Sequence, residues 1–123
     1  MSEPIDIVRD FCAVWAKGDY DAVMDFFTDD IVYHNIPVDP MVGKDAVRGM
    51  MAMFTTGVER IEFRVDNIAA TGNVVLTERV DFFFLSDKTI ELPVMGTFEV
   101  RDGKIAKWRD YFDLQQYMTQ VAG

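Results

Sequence analysis

From residue 59 onward the apolar residues of this chain recur at every second position, in runs that read as strands over 61–69, 74–85, 89–101 and 104–112. The connections are short. Gly72-Asn73, Ser86-Asp87 and Asp102-Gly103 are hairpin signals, so the four strands should pair antiparallel as a meander. Before residue 59 the period is helical. Ile5, Val8, Cys12 and Trp15 mark a first helix that ends at Gly18, with Ser2 as its cap and Glu3 and Pro4 in its first turn. Asp19 can cap a second, shorter helix carrying Val23, Met24, Phe26 and Phe27, stopped by Thr28-Asp29-Asp30. A short strand over 31–35 follows. A loop marked by Pro37, Pro40 and Gly43 then leads to a third helix with the stripe Val47, Met50, Met51 and Phe54. Helices first and strands afterwards indicate an α+β domain with the helices on one face of a curved sheet. With 123 residues and no repeat, linker or low-complexity segment, residues 1–123 should form one domain.

Charge and residue inventory exclude several classes of function. A net charge of −9 with no basic stripe argues against nucleic acid and anionic membranes as partners. MSEPIDIVRD has no positive segment followed by an apolar one, and no apolar run approaches the roughly 20 residues of a membrane span, so the expected location is cytoplasmic. The single cysteine, Cys12, cannot form an internal disulfide and falls on the first helix's apolar stripe as a core thiol. One histidine, His34, and one cysteine do not furnish the usual zinc or iron site, so no metal is expected. Ser2 and Ser86 are the only serines, which leaves a Ser-His-Asp arrangement without a plausible nucleophile. Any chemistry must come from carboxylates. The eight methionines and ten phenylalanines read first as packing, with some free to line a pocket.

The strand NVVLTERVDFFFL breaks its own pattern. Arg79 and Asp81 share a face with Val75, Thr77, Phe83 and Leu85, while Glu78 points the other way. In KIAKWRDYFD, Asp110 shares a face with Ala106, Trp108 and Phe112, and Arg109 and Tyr111 alternate outward. Tyr33 and Asn35 lie at i and i+2 on one face of IVYHNIP, with His34 on the opposite side. The structural explanation is a buried Arg79–Asp81 pair that fixes register, with Tyr33 and Asn35 satisfying backbone groups. Five such groups in one small domain are costly to bury, however, and a lined pocket accounts for all of them together.

At Tyr33-x-Asn35-x-Pro37, Glu78-Arg79-Val80-Asp81 and Trp108-Arg109-Asp110-Tyr111-Phe112-Asp113-Leu114 the chain resembles the limonene-1,2-epoxide hydrolase family. Order and approximate spacing agree from the first helix to Gln116, and the helix start Gly43-Lys44-Asp45-Ala46-Val47 fits as well. The resemblance implies an NTF2-like fold: a cone-shaped, strongly curved mixed sheet closed by three or four helices. It also implies a homodimer and the absence of a cofactor. It further implies an Asp-Arg-Asp triad facing a deep apolar cavity, with a tyrosine and an asparagine holding the attacking water. Carried onto this chain, these are Asp81, Arg79, Asp110, Tyr33 and Asn35. Phe83, Leu92, Val94 and Phe112 should belong to the apolar wall that binds substrate. The chain starts close to its first helix, without the longer leader of the limonene enzyme, and its wall reads ELPVMG where that enzyme differs, so limonene itself is not implied.

The implied reaction adds water to a small apolar epoxide. Opening the ring in neutral water takes a neutral acid and an ionised base together, and two neighbouring carboxylates can divide those roles. The family assignment makes Asp110 the base and Asp81 the acid, although sequence alone could exchange them. Two other functions fit the same fold: an isomerase or cyclase that uses one carboxylate to abstract a carbon-bound proton, and a non-catalytic module for apolar ligands. A cation between the two acids suits proton traffic around water better than enolate chemistry.

Overall fold

A computed structural model describes residues 3–123. The first helix, α1 (Pro4–Val14), has Pro4 in its first turn and Glu3 at the N-cap position. Ser2, the expected cap, lies outside the described residues. A 3-10 turn at Trp15–Lys17 closes on Gly18, and α2 (Tyr20–Met24) starts on Asp19, whose carboxylate accepts from the Ala22 N–H at 3.1 Å. There follow β1 (Phe27–Asn35), β2 (Met41–Val42), α3 (Lys44–Phe54), β3 (Val58–Thr71), β4 (Val74–Leu85), β5 (Thr89–Arg101), β6 (Lys104–Tyr111) and α4 (Leu114–Ala122).

The six strands form an open, curved mixed sheet in the order β2-β1-β6-β5-β4-β3. The four long strands pair antiparallel in sequence order, as their alternation and turns require. At the last of these turns both Asp102 (φ 52°) and Gly103 (φ 79°) adopt positive φ, the pairing that a two-residue hairpin with the native strand twist demands. The parallel contact is between β1 and β6, with Tyr33 opposite Trp108 and Asn35 opposite Asp110.

Three local expectations are corrected. Phe26 and Phe27 are not helical. Phe27 opens β1 four residues before the expected strand start, because it pairs with Ile105 and packs against Phe11 and Trp108, and the Phe26 carbonyl accepts from the Ile105 N–H at 2.7 Å. That partner lies far along the chain and is invisible to local periodicity. Within the expected loop, Met41 and Val42 add a short antiparallel strand against Tyr33 and Val32. In β6 the register against β5 steps from Glu99–Lys107 to Val100–Ile105, leaving Ala106 as an extra residue. Ile105 therefore takes a core position with Trp108, and Ala106 does not.

The core fills the space between the helices and the inner sheet face. Val8, Phe11, Cys12 and Trp15 meet Ile61, Phe63, Phe98 and Trp108 there. Phe11 meets Trp108 edge-on at 5.0 Å between ring centres, and Trp15 stacks on Phe63 at 4.8 Å, geometries that aromatic quadrupoles favour. This aromatic block closes one end of the cone and leaves the other end open.

Candidate active site

The open end of the cone is a cavity of about 470 Å³, within the range of small-molecule sites. Its lining is mostly apolar. The sheet contributes Phe63, Phe83, Leu92 and Val94. Met50, Met53 and Phe54 come from α3, and Leu114, Tyr117 and Met118 from α4. The polar exceptions are gathered at its floor: Tyr33, Asn35, Asp81 and Asp110. All four residues expected in the apolar wall, Phe83, Leu92, Val94 and Phe112, line this cavity.

The floor is built by strand alternation. Val75, Thr77, Arg79 and Asp81 succeed one another at every second position of β4 and are all buried. Arg79 lies beneath the two acids, its side chain fully buried, and each of its five N–H bonds has a partner. Nε donates to Asp81 Oδ1 at 3.0 Å and Nη2 to Asp81 Oδ2 at 2.9 Å. Nη2 also donates to Asp110 Oδ2 at 3.0 Å, while Nη1 donates to Asp110 Oδ1 at 3.2 Å and to Thr77 Oγ1 at 3.1 Å. A planar fork is the side chain that can hold two carboxylates in this way; an ammonium lacks the geometry. The Phe63 ring faces the guanidinium from 4.8 Å, adding a cation–π contact.

Cross-strand register explains how residues 31 positions apart meet. Thr77 on β4 pairs with Gly96 on β5, Gly96 with Asp110 on β6, and Asp110 with Asn35 on β1, one row across four strands. Gly96 is the gap in that row. A Cβ there would collide with Arg79 Nη1 and approach Asp110 Oδ1 and Thr77 Oγ1 to 2.8 and 2.9 Å, so a glycine is what lets the guanidinium reach Asp110.

The two acids are not equivalent. Asp110 receives Trp108 Nε1–H at 2.7 Å in addition to both guanidinium nitrogens, whereas Asp81 is bonded by Arg79. Burial raises the Asp81 carboxyl from its ordinary value to about 6, the charge of Asp110 adds to the rise, and Arg79 opposes it. Burial works against the charge on Arg79, yet the carboxylates of Asp110 and Asp81 hold its pKa well above the usual value. Burial, with help from Asp110, likewise keeps the Tyr33 phenol protonated, well above the usual tyrosine range.

Tyr33 and Asn35 sit beside Asp110 from the neighbouring strand. The Tyr33 ring lies flat on Trp108, 3.9 Å between centres and 8° between planes, which fixes its direction. Asn35 contacts Met50 Sδ at 3.9 Å and lines the cavity. His34 faces away, its Nε2 placed 2.9 Å from the Val38 carbonyl oxygen. Cys12 is buried in the core, and burial pushes its thiol up to about 12, so it is no nucleophile.

The structure thus brings together all five residues selected from the sequence. The residues not selected are Thr77, Gly96 and Trp108, and the cavity walls on α3 and α4. Thr77 and Trp108 were legible as i−2 neighbours of Arg79 and Asp110. Gly96 carried the mark of a glycine inside a strand, a sign of close approach. The α4 contribution was legible too, as Leu114, Tyr117, Met118 and Val121 at helical spacing after Asp113, a capping residue.

Comparison with known proteins places the chain in a family. The limonene-1,2-epoxide hydrolase catalytic domain matches residues 2–122. Epoxide hydrolase EphG of Mycobacterium tuberculosis (strain ATCC 25618 / H37Rv) is 34% identical over 107 residues, 87% of this chain and 71% of that protein. The solved structure of a limonene-1,2-epoxide-hydrolase-like epoxide hydrolase from M. tuberculosis superposes with a TM-score of 0.82 at 31% identity, covering 98% of this chain and 90% of its own. A structure provisionally assigned as a polyketide cyclase from Xanthomonas campestris pv. campestris gives a TM-score of 0.83 over 96% of each chain at 23% identity, a likeness of fold alone. With a whole-length domain match and a relative above 30% identity, the chain belongs to the limonene-1,2-epoxide hydrolase family and is an epoxide hydrolase of that type.

Proposed function

We propose that this protein adds water directly to an apolar epoxide, giving a vicinal diol without a cofactor. The observation that carries the reading is the placement of two carboxylates of different character, bridged by one fully paired arginine, at the floor of an apolar cavity. Asp110 takes a proton from a water held by Tyr33 and Asn35 as that water attacks an epoxide carbon. Asp81 delivers its proton to the ring oxygen as the C–O bond breaks. The difference in hydrogen bonding supports this division. Asp110, with its additional indole donor, is the better-stabilised carboxylate, while a carboxyl raised to about 6 retains protonated population near neutrality.

After one turnover Asp110 carries a proton and Asp81 does not. Arg79 Nη2 touches an oxygen of each acid, so the guanidinium can give a proton to one as it receives one from the other, its charge unchanged. The wall of Phe83, Leu92, Val94 and Phe112 offers apolar contact and no charge, which selects a small hydrophobic epoxide. A homodimer is supported by Leu76, Met95 and Tyr111, apolar and exposed on the outer sheet face, and analytical ultracentrifugation reads it directly.

The deciding experiment incubates purified protein with a panel of apolar epoxides and, separately, a β,γ-unsaturated ketone. Diol from the epoxides is expected. Isomerised ketone with no diol would replace this reading by isomerase chemistry, and neither product would leave an apolar-ligand-binding module.

A further inference from the structure

The wall formed by α4 has no anchor in the core. None of its nine residues is buried, yet Leu114, Tyr117 and Met118 face the cavity. Its contacts on that side are few: the Tyr117 ring meets Phe83 and Phe112, each with 6.5 Å between ring centres. Its strong attachments lie elsewhere, beyond the cavity. Lys88, in the β4–β5 turn, donates from Nζ to the main-chain oxygens of Gln120, Val121 and Gly123 at 3.1, 2.8 and 2.7 Å. Gln120 pairs with both main-chain groups of Glu91 at the start of β5, accepting from its N–H at 2.8 Å and donating to its carbonyl at 2.7 Å.

A helix this short is marginal by itself and takes its stability from what it touches. Here that is the Asp113 carboxylate, which caps the first turn by accepting from the Gln116 N–H at 3.2 Å, one ammonium on the free carbonyls of the last turn, where a cation also suits the helix dipole, and one amide that copies a strand pairing. Segments held by so few buried contacts belong to the low end of local opening free energies. The triad, by contrast, stands on β4 and β6 in the middle of the sheet.

Building on the epoxide hydrolase reading, we propose that Lys88 and Gln120 are positioning residues for substrate. They latch α4 as the cavity's movable wall and so set the size of epoxide that is accepted. Their action is on binding and selection. They touch neither acid, and the chemical step does not pass through them.

The test compares wild type with Lys88→Met, Gln120→Ala and the double variant. Amide exchange over residues 114–122 should quicken by about tenfold or more in the double variant, with β4 unchanged, as expected for local rather than global opening. For phenyloxirane, KM should rise about three- to tenfold with kcat within about twofold, the signature of lost uniform binding. Selectivity should move toward the bulkier trans-stilbene oxide by about fivefold in relative kcat/KM. Unchanged exchange, or an equal loss of kcat on both epoxides, overturns the proposal. If wild type hydrolyses neither epoxide, the functional reading fails separately. The latch is then judged by exchange together with binding of the neutral dye Nile red, whose affinity should drop severalfold in the double variant; equal affinity overturns it.

Discussion

The Trp108 indole donates to Asp110 Oδ1 at 2.7 Å from two positions away on the same face of β6, and Arg79 Nη1 donates to that oxygen from β4. The same indole carries the stacked ring of Tyr33. One side chain therefore aims both the proposed base and the tyrosine proposed to hold its water. Trp108→Phe keeps a ring in the stack and removes the donor. Loss of a bond to a buried carboxylate should cost about 1–3 kcal/mol in denaturant unfolding. Turnover should fall about ten- to a hundredfold through misplacement of Asp110. A variant that loses stability and keeps full kcat would leave Trp108 with a packing role only.

Gly96→Ala probes the gap in the cross-strand row. Its new methyl would meet the guanidinium and both flanking oxygens, and overpacking of this kind costs about 1–3 kcal/mol. Because the displaced group is Arg79, kcat/KM should fall about a hundredfold even where the variant is fully folded. Wild-type activity in folded protein would show that the triad tolerates movement.

The pH dependence follows from Asp81. As the proposed general acid it must carry a proton, and its carboxyl is raised to about 6, so kcat/KM should decline as pH rises above that value, with slope −1 in its logarithm. The stability effect has a defined sign. A folded-state pKa above the ordinary carboxyl value favours the folded form when both states are protonated, and this contribution is lost as pH rises from 3.8 to about 6. Asp81→Asn should flatten that slope while cutting turnover by about 10²–10⁴. Retention of the slope in unfolding curves of the variant would assign it to another group.

Direct hydration and a covalent aspartyl ester differ in the origin of the product oxygen. The ester route needs a second base for hydrolysis, and His34 is turned away from the cavity toward Val38. A single turnover with excess enzyme in ¹⁸O-water should place the label in the diol and none in the protein. Unlabelled diol with ¹⁸O in the Asp81 or Asp110 peptide would overturn the assigned roles.

The sequence by itself determined the meander and the faces of its strands. A period of two fixes which side chains share a side, so the positions of Arg79 and Asp81 on one strand and Trp108 and Asp110 on another follow from counting. It also determined the polar anomaly: charged groups at positions where alternation places the core have to be paired or to line a cavity. Helix α1 and α3 were legible for the same reason, their stripes being local and periodic.

The tertiary structure decided what depends on partners distant in the chain. The parallel pairing of β1 with β6 sets Asn35 beside Asp110, and it extends β1 back to Phe27, which local pattern assigns to a helix. The α4 wall is decided in the same way. With no buried residue of its own, that helix is placed by Lys88 and Glu91 across the surface, and no periodicity in residues 114–122 specifies those contacts. Alternation dictates the side on which a residue stands; register between strands, set by the summed packing of the whole sheet, dictates what stands opposite it.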